Sequence, residues 1–307
     1  PDYESILNDA CSKLRENGEI DYDSLRSFRS ILFGLESALL HYKCGSYSFW
    51  NTSFSRGEKG IPINGLIWMG NTESMQKQIA DKLEAGFRCI KLKIGALNFE
   101  EELKVLRSIR SNYSKEELML RVDANGAFSP GEAMDKLNRL AELEIHSIEQ
   151  PIRNGQWDEM AKLASISPVP IALDEELIGV NSLTEKKKLL TNIKPQYIIL
   201  KPSLHGGLVG AEEWIKEATN LNIDWWITSA LESNIGLNSI TQFTYTLNNP
   251  MPQGLGTGGL YTNNFDCPLE IEKGHIQYNV QKHWDVSNLG ISLIPFVAVK
   301  MELDYGV

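Results

Sequence analysis

From residue 61 onward, short apolar runs alternate with longer stretches whose apolar residues recur every three or four positions. The short runs predict strands over 61–69, 87–94, 118–123, 147–149, 170–173, 197–200 and 225–228, with a glycine-rich eighth near Gly254. Amphipathic helices are predicted between them, over about 72–85, 98–112, 130–143, 156–164, 181–190, 207–220 and 233–247. Asn71 before Thr72 and the Ser129-Pro130 pair suit helix starts, because a short polar side chain accepts from the first free backbone N–H groups. Strands that alternate strictly with helices predict a parallel sheet covered by helices. Eight such units predict an α/β fold of the (β/α)₈-barrel type rather than an open sheet.

The two ends do not follow this rhythm. Residues 1–48 read as helical, with Ile6, Ala10 and Leu14 on one face and Leu32, Leu35, Leu39 and Leu40 on another. Residues 49–60 read as a polar, glycine-bearing loop. Beyond residue 268, the stretches 275–280 and 291–303 look extended, and they are expected to pair outside the barrel. The expected division is 1–58 as the helical part of a cap, 59–267 as the barrel, and 268–307 as extended segments packing on both.

Five ionisable residues punctuate the barrel pattern: Lys93, Asp123, Glu149, Asp174 and Lys201, at intervals of 25 to 30 residues. Each stands at or just past the end of a predicted strand. In a parallel barrel all five therefore reach the same mouth, where barrel enzymes carry their active sites. Asp123, Glu149 and Asp174 offer oxygen ligands alone, which suit Mg²⁺ or Mn²⁺ rather than zinc. A single strand-end carboxylate is ordinarily a cap or a solvated side chain; three on successive strands point to a cation. Asn125, in Asp123-Ala124-Asn125-Gly126, suits either a supporting hydrogen bond or the turn itself.

Lys91 and Lys93 alternate with Ile90, Leu92 and Ile94, so both lysines face the barrel interior while the apolar residues face the helices. Inward ammonium groups need anionic partners or water. Crowded cations and partial desolvation lower a lysine pKa toward general-base use, and Lys201 stands on the other side of the mouth. In Ser229-Ala230-Leu231-Glu232-Ser233-Asn234, short polar residues precede a predicted helix. They suit either recognition of a substrate carboxylate or a plain N-cap. His146 and His205 read as packed or solvated histidines.

Composition narrows the choice. The chain has 307 residues, is 42% hydrophobic and 23% charged, and carries a net charge of −10, which fits a globular protein and argues against nucleic-acid or anionic-membrane partners. No apolar run reaches the length of a membrane span, no signal peptide is visible, and no phosphate-binding G-x-x-x-x-G-K-[ST] occurs. The four cysteines form no C-x-x-C pair, so free thiols in a reducing, cytoplasmic setting are expected. The first residue is Pro1 rather than Met, and the chain is expected to lack its natural start.

Taken together, Lys91-Leu92-Lys93, Arg121-Val122-Asp123-Ala124-Asn125-Gly126, Ile148-Glu149-Gln150-Pro151, Leu173-Asp174-Glu175 and Leu200-Lys201-Pro202 resemble the enolase superfamily, specifically its muconate-lactonizing subgroup. Each motif alone is weak; the set spans residues 91–202 in the family's order and spacing. The run from Ser229 to Leu237 resembles the o-succinylbenzoate synthase family of that subgroup. The dipeptide epimerases carry an Asp-x-Asp after the eighth strand, and the stretch Gly254 to Gly259 has none.

The resemblance implies a barrel with an N-terminal α+β capping domain, of which residues 1–48 resemble only the helical part. It implies Mg²⁺ on Asp123, Glu149 and Asp174, with Lys93 and Lys201 as catalytic residues. Lys91, Asn125, Ser229, Glu232 and Ser233 would serve a small carboxylate substrate. The implied reaction is a dehydration in which a lysine abstracts the α-proton and the metal stabilises an enediolate. The alternatives are a dipeptide epimerase or N-acylamino acid racemase on the same scaffold, and a barrel that binds without catalysing.

Overall fold

The computed structural model describes residues 2–289, apart from 69 and 97. The front of the chain is helical: α1 (Tyr3–Asn17), α2 (Tyr22–Leu25) and α3 (Arg29–Cys44). Asp2 caps α1 by accepting from the Glu4 N–H, and Gly18 ends it in the left-handed conformation at φ 73°. Ala10, Ile20, Leu25, Ile31, Leu32 and Leu35 make a small core among these helices, with Ile6, Leu14 and Leu39 packed at its edge. Leu40 turns instead to the main core, which joins the helical front to the barrel.

The stretch 49–60 departs from its sequence reading. It is irregular, yet Phe49 and Phe54 are fully buried within it, and Phe54 packs against Tyr245 and Tyr278. Polar composition concealed two aromatic anchors, each worth roughly 2–3 kcal/mol of burial. The single strand expected over 61–69 is also divided. β1 (Ile61–Pro62) leaves the barrel and pairs with β10 (His275–Tyr278), which pairs in turn with β9 (Leu269–Glu272). β2 (Gly65–Ile67) enters the barrel sheet.

Between them run α4 (Thr72–Glu84), β3 (Cys89–Lys93), α5 (Phe99–Arg110), β4 (Met119–Asp123), α6 (Pro130–Ala141), β5 (Ser147–Glu149), α7 (Trp157–Ile166), β6 (Ile171–Leu173), α8 (Leu183–Ile193), β7 (Tyr197–Leu200), α9 (Gly207–Asn220), β8 (Asp224–Ile227) and α10 (Asn234–Thr246). Asn71 caps α4 by accepting from Ser74 N–H, and Glu132 accepts the Ser129 N–H at the start of α6. β2 to β8 form one all-parallel sheet in sequence order.

The eighth stave is reduced to two parallel bridges, Thr228 with Gly254 and Ile63 with Gln253, which join the sheet's free edges. A side chain at Gly254 would collide with Thr228, so only glycine lets the backbone come this close. Ile90, Leu92, Val122 and Ile148 are buried between sheet and helices, which leaves the alternate positions facing inward. Of the stretch expected over 275–280, His275–Tyr278 is extended and the chain turns at Val280, whereas 291–303 lies outside the described residues.

Candidate active site

Register delivers the five ionisable residues to one mouth. Lys93 pairs with Asp123 across β3 and β4, and Asp123 pairs with Glu149 across β4 and β5. Asp174 follows β6 and Lys201 follows β7. All five line a single cavity of about 580 Å³, the size of a small-molecule site, together with Lys91, Asn125 and Ser229. Glu232 and Ser233, expected to serve the substrate, do not line this cavity. β3 and β7 lie four staves apart, so Lys93 and Lys201 enter from opposite sides of an eight-stave ring.

The three carboxylates are almost wholly buried and are joined by ammonium groups. Lys91 Nζ contacts Asp123 Oδ2 at 3.1 Å and Glu149 Oε2 at 2.8 Å. Lys93 Nζ contacts the same Asp123 oxygen at 3.1 Å and Asn125 Oδ1 at 2.6 Å. Lys201 is paired with Asp174. Among the described residues, no three potential ligands converge closely enough to enclose a cation. The donor set nevertheless fits one: it is all oxygen, it is buried, and Asp174 Oδ1 has no hydrogen-bond partner.

Burial pushes the Glu149 carboxyl well above the usual carboxylate range, and the Asp123 charge adds to this against the pull of Lys91. At Asp123 burial acts upward as well, but Lys91 and Lys93 outweigh it and hold that carboxyl low. Burial opposes the charge of Lys91, and Glu149 and Asp123 overcome it, so its pKa is raised. Lys201 is raised in the same way, with Asp174 and then Glu149 outweighing burial. Lys91 and Lys201 are therefore held as cations.

Several residues that the sequence reading passed over shape this site. Gln150 is fully buried, and its Oε1 accepts from the N–H groups of Asp174 and Glu176, both at 3.2 Å. It thereby sets where the chain leaves β6 and where Asp174 points. Its signal was already present, since a glutamine in a buried Glu-Gln-Pro run must find partners. Asn125 serves both of its anticipated roles. It sits at φ 43° with its N–H on Asp123 Oδ1, and its amide bridges Lys93 and Glu175 Oε1.

The segment after β8 is occupied with itself. Glu232 accepts from Ser229 Oγ at 2.7 Å, from Ala230 N at 2.9 Å and from Ser203 Oγ. It ties the loop after β7 to the loop after β8. Ser233 is the N-cap residue of α10, without a side-chain cap bond. Leu231 is held at φ 71° and half-exposed at the mouth, where Trp68 and Leu260 also present apolar surface. His146 packs against Tyr197 and Trp226. All four cysteines are free, and no described helix is long and apolar enough to cross a membrane.

The family described as Enolase C-terminal domain-like matches residues 74–282. The chain is 51% identical over 274 residues to the o-succinylbenzoate synthase of Desulfotalea psychrophila, covering 89% of this chain and 73% of that protein. It is 24% identical over 219 residues to the L-Ala-D/L-Glu epimerase of Bacillus subtilis, covering 69% of this chain and 56% of that one. The crystal structure of MenC from Desulfotalea psychrophila LSv54 superposes with a TM-score of 0.77 at 48% identity, over 90% of this chain and 76% of that one.

Proposed function

We propose that this chain, which belongs to the enolase C-terminal domain-like family, is an o-succinylbenzoate synthase. The reaction is dehydration of 2-succinyl-6-hydroxy-2,4-cyclohexadiene-1-carboxylate to 2-succinylbenzoate, a step of menaquinone formation. The observation that carries this reading is the 51% identity to a synthase of that name over most of the chain. The site chemistry supports it independently, because three lysines face three carboxylates around one cavity. Lys91 and Lys201, which carboxylates keep charged, together with one divalent cation, suit a substrate that carries carboxylates.

Asp123, Glu149 and Asp174 are the residues that would hold Mg²⁺, or Mn²⁺ in its place. When bound, the ion supplies positive charge beside the ring carboxylate as the α-proton leaves. Lys93 takes the proton from the ring carbon that bears the carboxylate. The electron pair of that C–H bond passes into an enediolate. Collapse of the enediolate breaks the bond to the neighbouring ring hydroxyl, and Lys93 returns its proton to the leaving oxygen. The products are water and an aromatic ring, whose formation drives the second step.

Lys93 suits the basic role because one of its two contacts is a neutral amide oxygen. Lys91 and Lys201 suit electrostatic roles because carboxylates keep them charged. Lys201 steadies the enediolate from the opposite side of the ring. Ser229 borders the cavity, but its hydroxyl proton is given to Glu232, so recognition there falls to its backbone surroundings. We read 1–58 as cap, 59–267 as barrel and the described residues from 268 as packing segments; 290–307 lie outside the described residues.

The test follows formation of the aromatic product in the ultraviolet, with Ala-Glu dipeptides run in parallel for racemisation. Aromatic product that requires Mg²⁺ and stops with EDTA supports the reading. Racemisation without aromatic product replaces it with an epimerase.

A further inference from the structure

We infer that His205 is a positioning residue: its ring nitrogen takes the place of the missing strand neighbour at the end of β7 and thereby fixes how Lys201 leaves the barrel wall. This rests on reading Lys201 as a functional residue of the site.

The need for such a group follows from register. β6 pairs with β7 only through Ala172 with Tyr197 and Leu173 with Ile198. Asp174 then turns away, at φ −125° and ψ −77°, into a short 3₁₀ turn over Glu175–Leu177. The Leu200 carbonyl points toward β8, where it accepts the Thr228 N–H at 2.8 Å. A trans peptide directs its C=O and N–H in opposite directions, so the Lys201 N–H points to the side that β6 has vacated. That N–H is inside the protein, where an unpaired backbone donor is costly.

His205 supplies the acceptor. Its Nδ1 stands 2.9 Å from the Lys201 nitrogen. The geometry is a closed turn, because the N–H groups of Leu204 and His205 return to the Lys201 carbonyl at 2.8 and 3.0 Å. The imidazole is 1% exposed, with its ring edge toward Trp214. Burial holds its pKa down to about 3, so the ring is neutral, and the Lys201 N–H on Nδ1 leaves the ring proton to Nε2, which has no hydrogen-bond partner among the described residues.

The far end of the turn is fixed as well. Glu36 of α3 accepts the N–H groups of Leu208 and Val209 at the start of α9. Lys201 is thus clamped through its backbone, while its ammonium meets Asp174. A leucine at position 205 fills similar space without an acceptor. An asparagine places an oxygen near the position of Nδ1.

The experiment compares H205L and H205N with the unmodified chain. The expected result for H205L is a loss of about a hundredfold in kcat with KM nearly unchanged, as a small misplacement of a reacting group produces. H205N is expected to recover most of that loss. Independently of turnover, ¹⁵N spectra of the unmodified protein should show an unprotonated His205 Nδ1 and a slowly exchanging Lys201 amide. The amide should exchange fast in H205L and slowly again in H205N. Full kcat in H205L, equal losses in both variants, or a protonated Nδ1 overturns the inference. If the unmodified protein forms no aromatic product, the functional reading falls, while the spectra still decide the role of His205.

Discussion

Lys93 differs from its two neighbouring lysines in what it touches. Lys91 meets two carboxylates, and Lys201 is held as a cation by Asp174 and Glu149. Lys93 has one carboxylate contact and one amide. Replacing it with alanine should lower kcat by about 10³-fold or more, while Mg²⁺ affinity measured by calorimetry changes little. Substantial residual turnover would move the base elsewhere. Asp174→Asn acts on a different quantity. It removes one anionic oxygen donor and the partner of Lys201, so Mg²⁺ affinity should fall by at least about tenfold. Unchanged affinity in that variant would remove Asp174 from the ligand set.

At the scale of elements, the mouth depends on loops bound to one another. Glu232 joins the ends of β7 and β8 through Ser203, Ser229 and the Ala230 N–H. Glu232→Ala leaves these donors unpaired and should destabilise the protein by about 2–4 kcal/mol in urea titration. Glu232→Gln keeps an acceptor oxygen and should lose less; equal losses would mean that the hydrogen bonds are not the cause. The barrel's closure is similarly local. Gly254→Ala forces a methyl group against Thr228 where the eighth stave meets β8. The expected cost is about 1–3 kcal/mol by the same titration, and a neutral result would show that the closure can shift.

For the molecule as a whole, buried titratable groups set the pH range of stability. Burial lowers His205 to about 3 and His146 to about 4, against 6.5 for the free side chain. Below pH 6.5 the unfolded chain takes up these protons and the folded one does not, so stability falls with falling pH. His205 accounts for at most about 5 kcal/mol of this, and half-buried His146 for less. Glu36 acts in the opposite sense. Burial raises it to about 7, so the folded state holds its proton more tightly than the unfolded state, and stability is lost as pH rises from 4.5 through 7. Burial raises Glu149 and Glu175 in the same sense as Glu36, so the share of His205 is read by difference. H205N should lose less stability than the unmodified protein between pH 7 and pH 5, and equal losses in urea midpoint would refute that share.

Local pattern was enough to determine the alternation of strands and helices, the inward lysines of β3 and the arrival of Asp123, Glu149 and Asp174 at one mouth. Strand period and the common direction of parallel strands settle these without distant contacts. The residues that hold the site in shape were decided only by the fold. Gln150 draws its role from the N–H groups of Asp174 and Glu176, and Glu232 draws its own from Ser203, 29 residues away. Phe49 and Phe54 were hidden in a polar stretch because their burial depends on surfaces such as Tyr245 and Tyr278. The division of 61–69 into β1 and β2 likewise depends on β10, more than 200 residues later. Periodicity reports which way a side chain points, whereas hydrogen-bond partners and packing surfaces come from remote parts of the chain and exist only once it has folded.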